Sequence, residues 1–436
     1  MFTYSVGLYT LGCKVSQYET QAIAECFEKL GFIVFDFDDI CDVYVVNTCT
    51  VTSESDRKSR QIIRRAIQKN PDAVVMVCGC FAQTSPEEIA KIDGVSYICG
   101  TNGKSRMAEK AKELLENRSN ITVTEVGSLI GSPFEHMKIT RAPRTRAYVK
   151  IEDGCDCKCS YCAIPGARGS VRSKPAQDIL SEINMLAQSG TKEVVLTGIE
   201  AASYGADLNG YKLIDLLEDV EEAGMVERIR LGSLTPEIMR PEFIDRISKL
   251  RKVAPHFHLS MQSGCDRTLA NMKRRYNTRM ALNSMEKLRE QISGVMFTTD
   301  IMVGFPGESD EDFSDTLKFT EQARFLDMHI FAYSRRKNTE ADLYPCQIAE
   351  NVKHERSVRL SELRDRISKE ILSEVVKEQR KLSVVFETCE DGVWTGHSAE
   401  YIRVLAPATG GGNLHGEIRT VMPEFTKNKS IKGKII

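Results

Sequence analysis

The sequence lacks the features that direct a chain to a membrane or to secretion. No stretch reaches the roughly 18 consecutive apolar residues that a membrane-spanning helix needs. The first residues, MFTYSVGLYTLGC, have neither a basic start nor a long apolar core. The formal net charge is only −2, so attraction to a nucleic acid would have to come from local basic patches. We therefore expect a cytoplasmic protein with no membrane partner.

What the chain does contain is length and cysteine. With 436 residues it is too long for one ordinary core, which predicts two or three domains. Its 14 cysteines would suggest disulfides in a small secreted domain. In a long cytosolic chain they favour metal ligation or catalysis, so their positions become informative.

Alternating strands and helices predict an α/β protein with three parts. From Tyr4 to about Gly100 short apolar strands alternate with helices, as in a small parallel sheet. From about Arg146 six further strand-helix units predict a partial (β/α)6 barrel with its active site at the carboxyl ends of the strands. Short β-type runs near the C-terminus predict a small antiparallel β-barrel. The expected domains are residues 1–130, 141–372 and 376–436.

Three cysteines follow the first strand of the central part. In GCDCKCSYCAIPGARG one loop presents the thiols of Cys155, Cys159 and Cys162. Cysteine thiolates hold iron-sulfur clusters, and three ligands leave one iron of a four-iron cluster open for a substrate. A structural zinc site is the alternative, but zinc takes four ligands and no further CxxC or histidine pair stands nearby. Cys157 is too close to Cys159 in the sequence for the loop to wrap around a cluster with both as ligands, and we treat Cys157 as incidental.

This loop resembles that of the radical S-adenosylmethionine superfamily, in which the open iron binds S-adenosylmethionine. Small or polar residues stand at the ends of the predicted barrel strands, in TGIE, GSLTPE, QSG and DIMVGFPGE. A glycine after a strand is more often a turn than a ligand contact, so only the repetition along one rim carries weight. The candidate cofactor-binding residues are Tyr161, Thr197, Gly198, Ser233, Gln262 and Asp300.

A second set of cysteines follows the strands of the N-terminal part. Cys13, Cys49 and Cys80 each come directly after a predicted strand. The carboxyl ends of parallel strands share one edge of a sheet, where such sheets bind ligands, so the three thiols are expected to converge. Buried structural cysteines are the alternative, because free cysteine packs like a small hydrophobe. Cys78 lies two residues before Cys80, and the pattern leaves open which of the two is the ligand.

The motifs together resemble the methylthiotransferase family over nearly the whole chain. They are LGCKVSQYE, NTCTVT, GCFAQ, RAYVKIEDGC, CSYCAIPGARG, GFPGE and FAYS. The resemblance implies two 4Fe-4S clusters and S-adenosylmethionine as cofactors, with metal ligands Cys13, Cys49 and Cys80 for the auxiliary cluster and Cys155, Cys159 and Cys162 for the other. The family motif GCxAQ selects Cys80 over Cys78, and a C-terminal barrel of the TRAM type would bind RNA. Glu200, Cys265 and Lys337 differ from the residues that relatives more often carry.

Within the family, NTCTVT, KSRQIIRRA and AQTSPEE are most similar to the branch that acts on N6-threonylcarbamoyladenosine in tRNA. The implied reaction places a methylthio group on C2 of that adenosine, next to the anticodon, and needs an electron-donor protein and a source of sulfur. Methylthiolation of isopentenyladenosine in tRNA or of a ribosomal-protein aspartate is the alternative within the same chemistry. A non-catalytic iron-sulfur protein for electron transfer or RNA binding is the alternative of another class.

Basic residues give tRNA binding a separate, weaker basis. On a predicted helix from Ser55 to Lys69, Arg57, Arg60 and Arg64 line the face opposite an apolar one, a spacing that suits a phosphate backbone. Further basic runs include Lys273 to Arg275 and Arg335 to Lys337. A solvated surface is the alternative for any single run.

Overall fold

The computed structural model describes residues 3–117, 121–142, 144–408 and 412–436. In it a parallel α/β part, a partial barrel and a closed β-barrel follow one another along the chain, which confirms the predicted fold class. In the described residues no helix combines the length and apolar character that a membrane crossing requires.

The N-terminal part is a parallel sheet with the order β2-β1-β3-β4-β5-β6. Its strands are β1 (Ser5–Thr10), β2 (Ile33–Phe35), β3 (Val43–Thr48), β4 (Val74–Gly79), β5 (Val95–Cys99) and β6 (Val123–Glu125). Its helices are α1 (Lys14–Lys29), α2 (Ser53–Lys69), α3 (Cys80–Thr84), α4 (Pro86–Ala90) and α5 (Met107–Glu116). The chain leaves β1 on one side to form β2 and returns to its other side as β3. This reversal opens a crevice at the carboxyl ends of β1 and β3.

The central part contains the six predicted parallel strands. Its first elements are β7 (Arg146–Lys150), β8 (Glu152–Asp153), α6 (Ile164–Arg168), β9 (Arg172–Ser173), α7 (Ala176–Gln188), β10 (Glu193–Thr197), α8 (Leu213–Ala223), β11 (Arg228–Leu231) and β12 (Ser233–Leu234). The remainder are α9 (Pro241–Ile247), β13 (His256–Gln262), α10 (Asp266–Asn271), α11 (Thr278–Gln291), β14 (Met296–Val303), α12 (Asp310–Ala323) and β15 (Asp327–Ala332). One strand is interrupted at Gly232, so the ladder consists of the sheets β11-β10-β7 and β12-β13-β14-β15. The six strands thus run in chain order around an open barrel.

A long helix, α13 (Glu350–Lys377), leads into the closed C-terminal barrel. Its strands are β16 (Leu382–Glu390), β17 (Val393–Ser398), β18 (Arg403–Pro407), β19 (Ile418–Lys427) and β20 (Ser430–Ile435). The pairing is antiparallel except between β18 and β20, which run parallel. An odd number of strands cannot alternate in direction all the way around a closed ring, so one parallel pair is required.

A buried carboxylate and two arginines join the partial barrel to the C-terminal barrel. Glu193 is fully buried and accepts hydrogen bonds from Arg228 (3.0 Å) and Arg230 (2.8 Å). The same arginines donate to the carbonyl oxygens of Ser383 and Ser398. Burial alone would raise the pKa of Glu193, but Arg230 and Arg228 hold it below its usual value. The carboxylate therefore holds the cations that attach the C-terminal barrel.

Replacing Glu193 by alanine leaves two buried arginines without their shared anion. We expect the variant to lose about 3–5 kcal/mol of unfolding free energy, because breaking a buried ion pair strands an uncompensated charge. Glu227→Ala is the matched control, since Glu227 pairs with Lys192 at 3.4 Å on the surface. That control should change stability by less than about 1 kcal/mol. Denaturant midpoints of the two variants test this, and equal shifts would contradict it.

Candidate functional site

The loop that carries Cys155, Cys159 and Cys162 lies between β8 and α6. The Cys155 amide donates to the carbonyl oxygen of Gly169 (2.9 Å), which closes the loop at its base. The Cys162 amide donates to the carbonyl oxygen of Cys159 (3.1 Å) in a tight turn. The Ser160 hydroxyl anchors that turn to the carbonyl oxygen of Asn271 (2.8 Å). All three cysteines are half-buried and free.

One arginine contacts this loop directly. Arg274 donates from Nη1 to the Cys159 sulfur (3.1 Å) and from Nε to the Tyr276 hydroxyl (2.8 Å). Burial raises the pKa of Cys162 to about 11, and Arg274 works against that rise. The sequence placed Arg274 in a basic run suited to RNA, whereas the structure places it against a proposed cluster ligand. Nothing in the sequence around Arg274 predicted this contact with Cys159.

Cys157 lies inside the same loop. Its amide faces the Cys155 sulfur at 3.4 Å. A hydrogen bond between the two side chains lowers the pKa of Cys157 to about 6. Its omission from the proposed ligands rests on the spacing of the loop.

The structure brings part of the candidate cofactor-binding set together at the rim. Thr197 ends β10, Gly198 follows it, and Ser233 opens β12. Gln262 ends β13 with φ of 64°, a left-handed conformation that non-glycine residues rarely adopt and that tends to occur at functional sites.

The other two candidates do not stand at the end of a strand. Asp300 is inside β14, which continues to Val303, and its carboxylate lies between His258 (3.1 Å) and His329 (3.3 Å). It faces the barrel interior below the rim. Tyr161 packs edge-on against Phe305 with ring centroids 6.4 Å apart, in an apolar cluster behind the cysteine loop.

A buried carboxyl group that the sequence did not single out lies under Gly198. A Cβ at position 198 would be 2.5 Å from Oε2 of Glu152, so any larger residue there would displace this carboxyl group. Glu152 is fully buried and accepts from the Glu200 amide (2.8 Å), while its other oxygen has no partner among the described residues. Burial raises its pKa well above the usual value. Burial likewise raises the pKa of Glu200 to about 7, so two carboxyl groups beside the loop take up protons easily.

The second cysteine set converges as predicted at one edge of the N-terminal sheet. Cys13 precedes α1, Cys49 follows β3 and Cys80 opens α3 directly after β4. The backbone before Cys13 packs on Cys49, since a Cβ at Gly12 would lie 3.2 Å from the Cys49 Cβ. Burial raises the pKa of Cys80 to about 11, and the nearby thiols of Cys13 and Cys49 add to the rise.

The backbone before Cys80 requires glycine. Gly79 has φ of 97°, and a Cβ there would lie 2.4 Å from the Thr48 carbonyl oxygen. Cys78, on the other side of this residue, is fully buried in the core beside Cys99. Cys78 and Cys80 therefore point into different surroundings, and only Cys80 faces the crevice with Cys13 and Cys49.

Both cysteine sets consist of free thiols, the ligand type that iron-sulfur clusters take. Among the described residues, no three His, Cys, Asp or Glu side chains come close enough to share one ion. In a four-iron cluster each cysteine binds a different iron, so the ligand sulfurs stand farther apart than around zinc. Three thiols of one loop and three thiols of one sheet edge fit such a group.

The two sets are linked by Arg168 at the end of α6. This fully buried arginine donates from Nε to the Cys80 sulfur (3.2 Å) and from Nη1 to Glu19 (2.6 Å). Although burial alone would raise it, the pKa of Glu19 is held well below its usual value by Arg168, Lys104 and Lys150. The sequence gave no sign of this network, because its members are far apart in the chain and follow no periodicity.

Two family patterns match the chain where the cysteines lie. Residues 149–320 match the Radical SAM superfamily, and residues 5–100 match the Uncharacterized protein family UPF0004. Among solved structures, a radical S-adenosylmethionine methyltransferase, TsrM, from Kitasatospora setae superposes with a TM-score of 0.56. That match covers 90% of this chain and 77% of the other at 14% identity, and it shows a shared fold.

Curated relatives align over most of the chain. The threonylcarbamoyladenosine tRNA methylthiotransferase MtaB of Bacillus subtilis is 38% identical over 93% of this chain and 91% of its own length. MtaB of Aquifex aeolicus is 38% identical over 82% and 87%. The tRNA-2-methylthio-N(6)-dimethylallyladenosine synthase of Acetivibrio thermocellus is 33% identical over 98% and 90%. With such identity over nearly its full length, and with both cysteine sets in place, the chain belongs to the radical S-adenosylmethionine methylthiotransferase family.

Proposed function

We propose that this protein converts N6-threonylcarbamoyladenosine, next to the anticodon of tRNA, into its 2-methylthio derivative. The observation that carries the proposal is the pair of cysteine sets, one at the barrel loop and one at the sheet edge, joined by Arg168. Relatives named for the same modified base support the choice of substrate. The proposed domains are residues 1–130 for the auxiliary cluster, 141–372 for the radical reaction and 376–436 for RNA binding.

The C2–H bond of adenine is unactivated, so acid-base chemistry alone has no means of replacing it. When bound, S-adenosylmethionine and its 4Fe-4S cluster supply the required radical, and the auxiliary cluster supplies a place to hold sulfur. The proposed ligands are Cys155, Cys159 and Cys162 for the first cluster and Cys13, Cys49 and Cys80 for the second. An electron-donor protein, a sulfur source and a cytoplasmic location complete the proposal.

The residues around the barrel loop hold the site in place. Arg274 orients Cys159 through its hydrogen bond to the sulfur. Gly198 lets the rim approach the Glu152 carboxyl group closely, and that group keeps one oxygen free of protein partners in the described chain. Thr197, Ser233, Gln262 and Tyr161 remain proposed contacts of the cofactor. Asp300, lower in the barrel, is proposed to face the substrate end of the cavity.

A lysine at the start of α1 supports the choice of the threonylcarbamoyl substrate. The charges of Arg146, Arg230 and Asp300, which come from three different barrel strands, act on the Lys14 ammonium group. Burial, with these arginines, lowers its pKa. Across the described residues it has no hydrogen bond or ion pair. The threonylcarbamoyl group carries a carboxylate that such a cation would bind, whereas a dimethylallyl group is neutral.

A Lys14→Met variant tests this substrate contact. Losing one charge-assisted hydrogen bond of about 1.5–3 kcal/mol should lower kcat/KM for tRNA carrying the threonylcarbamoyl base on the order of 10- to 100-fold. Lys29→Met is the matched control, since Lys29 is an exposed lysine at the other end of α1. Equal kcat/KM in Lys14→Met and the wild type would remove this support for the substrate.

The helix α2 is the proposed tRNA contact. Ile63 and Ala66 are buried against the sheet, and Arg57 and Arg64 are exposed on the other side. Arg57 donates to Glu54 (2.8 Å) on this exposed face, and most members of the other basic runs are paired as well. Arg336 donates to Asp56 (2.5 Å), and Arg335 donates to Asp342 (2.5 Å). These arginines would have to exchange their carboxylate partners for phosphates in order to bind RNA, whereas Arg64 has no ion pair among the described residues.

The direct test supplies the reconstituted enzyme with S-adenosylmethionine, reductant and two tRNA substrates. One carries N6-threonylcarbamoyladenosine and the other carries dimethylallyladenosine at the same place. We expect the 2-methylthio product from the first. Product from the second alone would show that the substrate is wrong and the chemistry right, and 5′-deoxyadenosine without either product would point to a substrate of another kind.

A further inference from the structure

Arg168 belongs to one cysteine set by sequence and to the other by contact. It ends the helix α6 that follows Cys162, yet its Nε lies 3.2 Å from the sulfur of Cys80 in the N-terminal sheet. The side chain has no exposed surface. A buried guanidinium is always charged, so this N–H group is a permanent donor beside the sulfur.

The orientation of this donor is fixed by two carboxylates. Nη1 and Nη2 donate to the two oxygens of Glu19 at 2.6 and 3.2 Å, and Nη1 also lies 3.4 Å from both oxygens of Asp153. The guanidinium is planar, so fixing its two Nη atoms fixes the direction of Nε. The hydrogen bond to Cys80 is therefore set by the fold.

The surroundings of Arg168 hold more positive than negative charge. The ion pairs around it join two carboxylates, Glu19 and Asp153, to four cations, Lys104, Lys150, Arg168 and Arg172. Two buried N–H-bearing atoms of Arg172, Nε and Nη1, have no hydrogen-bond partner in the described part of the chain. Buried cations that outnumber the carboxylates around them are stabilised by a further anion nearby. The sulfur of Cys80 lies beside one of these cations, Arg168.

We propose that Arg168 is a positioning residue for the auxiliary cluster, one that holds the Cys80 ligand and raises the cluster's reduction potential. The inference rests on the proposed ligand set Cys13, Cys49 and Cys80. Hydrogen bonds to ligand sulfurs, and the charge around a cluster, set its potential. A fixed cation stabilises the reduced state, which carries one more negative charge, and burial strengthens the effect. Arg274 likewise donates a hydrogen bond to the sulfur of Cys159, a proposed ligand of the other cluster.

The test isolates the auxiliary cluster in the full chain. Replacing Cys155, Cys159 and Cys162 by alanine removes the other proposed ligand set. In this background the iron content and the reduction potential, followed by electron paramagnetic resonance, are measured with Arg168, Arg168→Lys and Arg168→Gln. Arg274→Lys is the matched control, because it changes a part-buried arginine of the barrel part, whose hydrogen-bonded cysteine is Cys159 and not Cys80.

We expect a shift of the auxiliary potential to more negative values in both Arg168 variants, larger for Arg168→Gln, and no shift in Arg274→Lys. Arg168→Lys keeps the positive charge that Glu19 and Asp153 require. If Arg168→Gln does not fold, the reduction potential of Arg168→Lys alone decides the outcome. An unchanged potential in folded, iron-loaded Arg168→Lys would overturn the inference and leave the proposed function standing. A parent triple variant that binds no cluster would overturn the proposed auxiliary cluster itself.

Discussion

A Cys159→Ser variant is expected to lose about half of the protein's iron and all cleavage of S-adenosylmethionine, because a cluster with one missing ligand is not held. Cys159 lies at the centre of the barrel loop and receives the hydrogen bond from Arg274. Iron analysis and 5′-deoxyadenosine, measured by chromatography after anaerobic reduction, report the two losses separately.

Cys157→Ser is the control for this prediction, since it changes a cysteine of the same loop. We expect it to keep both the iron and the cleavage activity. Loss of cleavage in Cys157→Ser with retention in Cys159→Ser would show that the ligand set is wrong. Loss of all iron in Cys159→Ser alone would show that there is no second cluster.

A Cys49→Ser variant is expected to separate the two halves of the reaction. It should also lose about half of the iron, yet it should still cleave S-adenosylmethionine, because the barrel loop is intact. It should form no methylthio product, since the place that holds the sulfur is gone. Cys49 is buried at the sheet edge between Cys13 and Cys80, so its loss removes a ligand without exposing the core.

The control is Cys26→Ser, which changes a half-buried cysteine of α1 in the same part of the chain. This variant should keep its iron and its product. Methylthio product from Cys49→Ser at the wild-type rate would contradict the role of the auxiliary cluster, whatever its iron content.

The sequence predicted those features of the site that follow from strand order. Cys13, Cys49 and Cys80 come after β1, β3 and β4, which are neighbours in the sheet, and parallel topology alone brings their positions to one edge. The loop with Cys155 and Cys159 was predictable for a similar reason, because its spacing lies within one continuous segment. Both predictions need only local structure and chain direction.

The buried charges were not predictable, because they depend on contacts between distant segments. Arg168 and Glu19 are 149 residues apart, and neither stands in a periodic pattern. The depth of Asp300 in the barrel depends on where β14 ends, which its pairing with β15 determines. The parallel pairing of β20 with β18 was not predictable either, because it arises only when the barrel closes.

The nucleosides of tRNA test the central claim most directly. Total tRNA is taken from cells with the gene, from cells without it, and from cells in which Cys49→Ser replaces the wild type, and its nucleosides are identified by mass spectrometry. We expect 2-methylthio-N6-threonylcarbamoyladenosine only with the wild-type gene and the unmodified N6-threonylcarbamoyladenosine in the other two. The same content of the 2-methylthio nucleoside with and without the gene would contradict the proposed function.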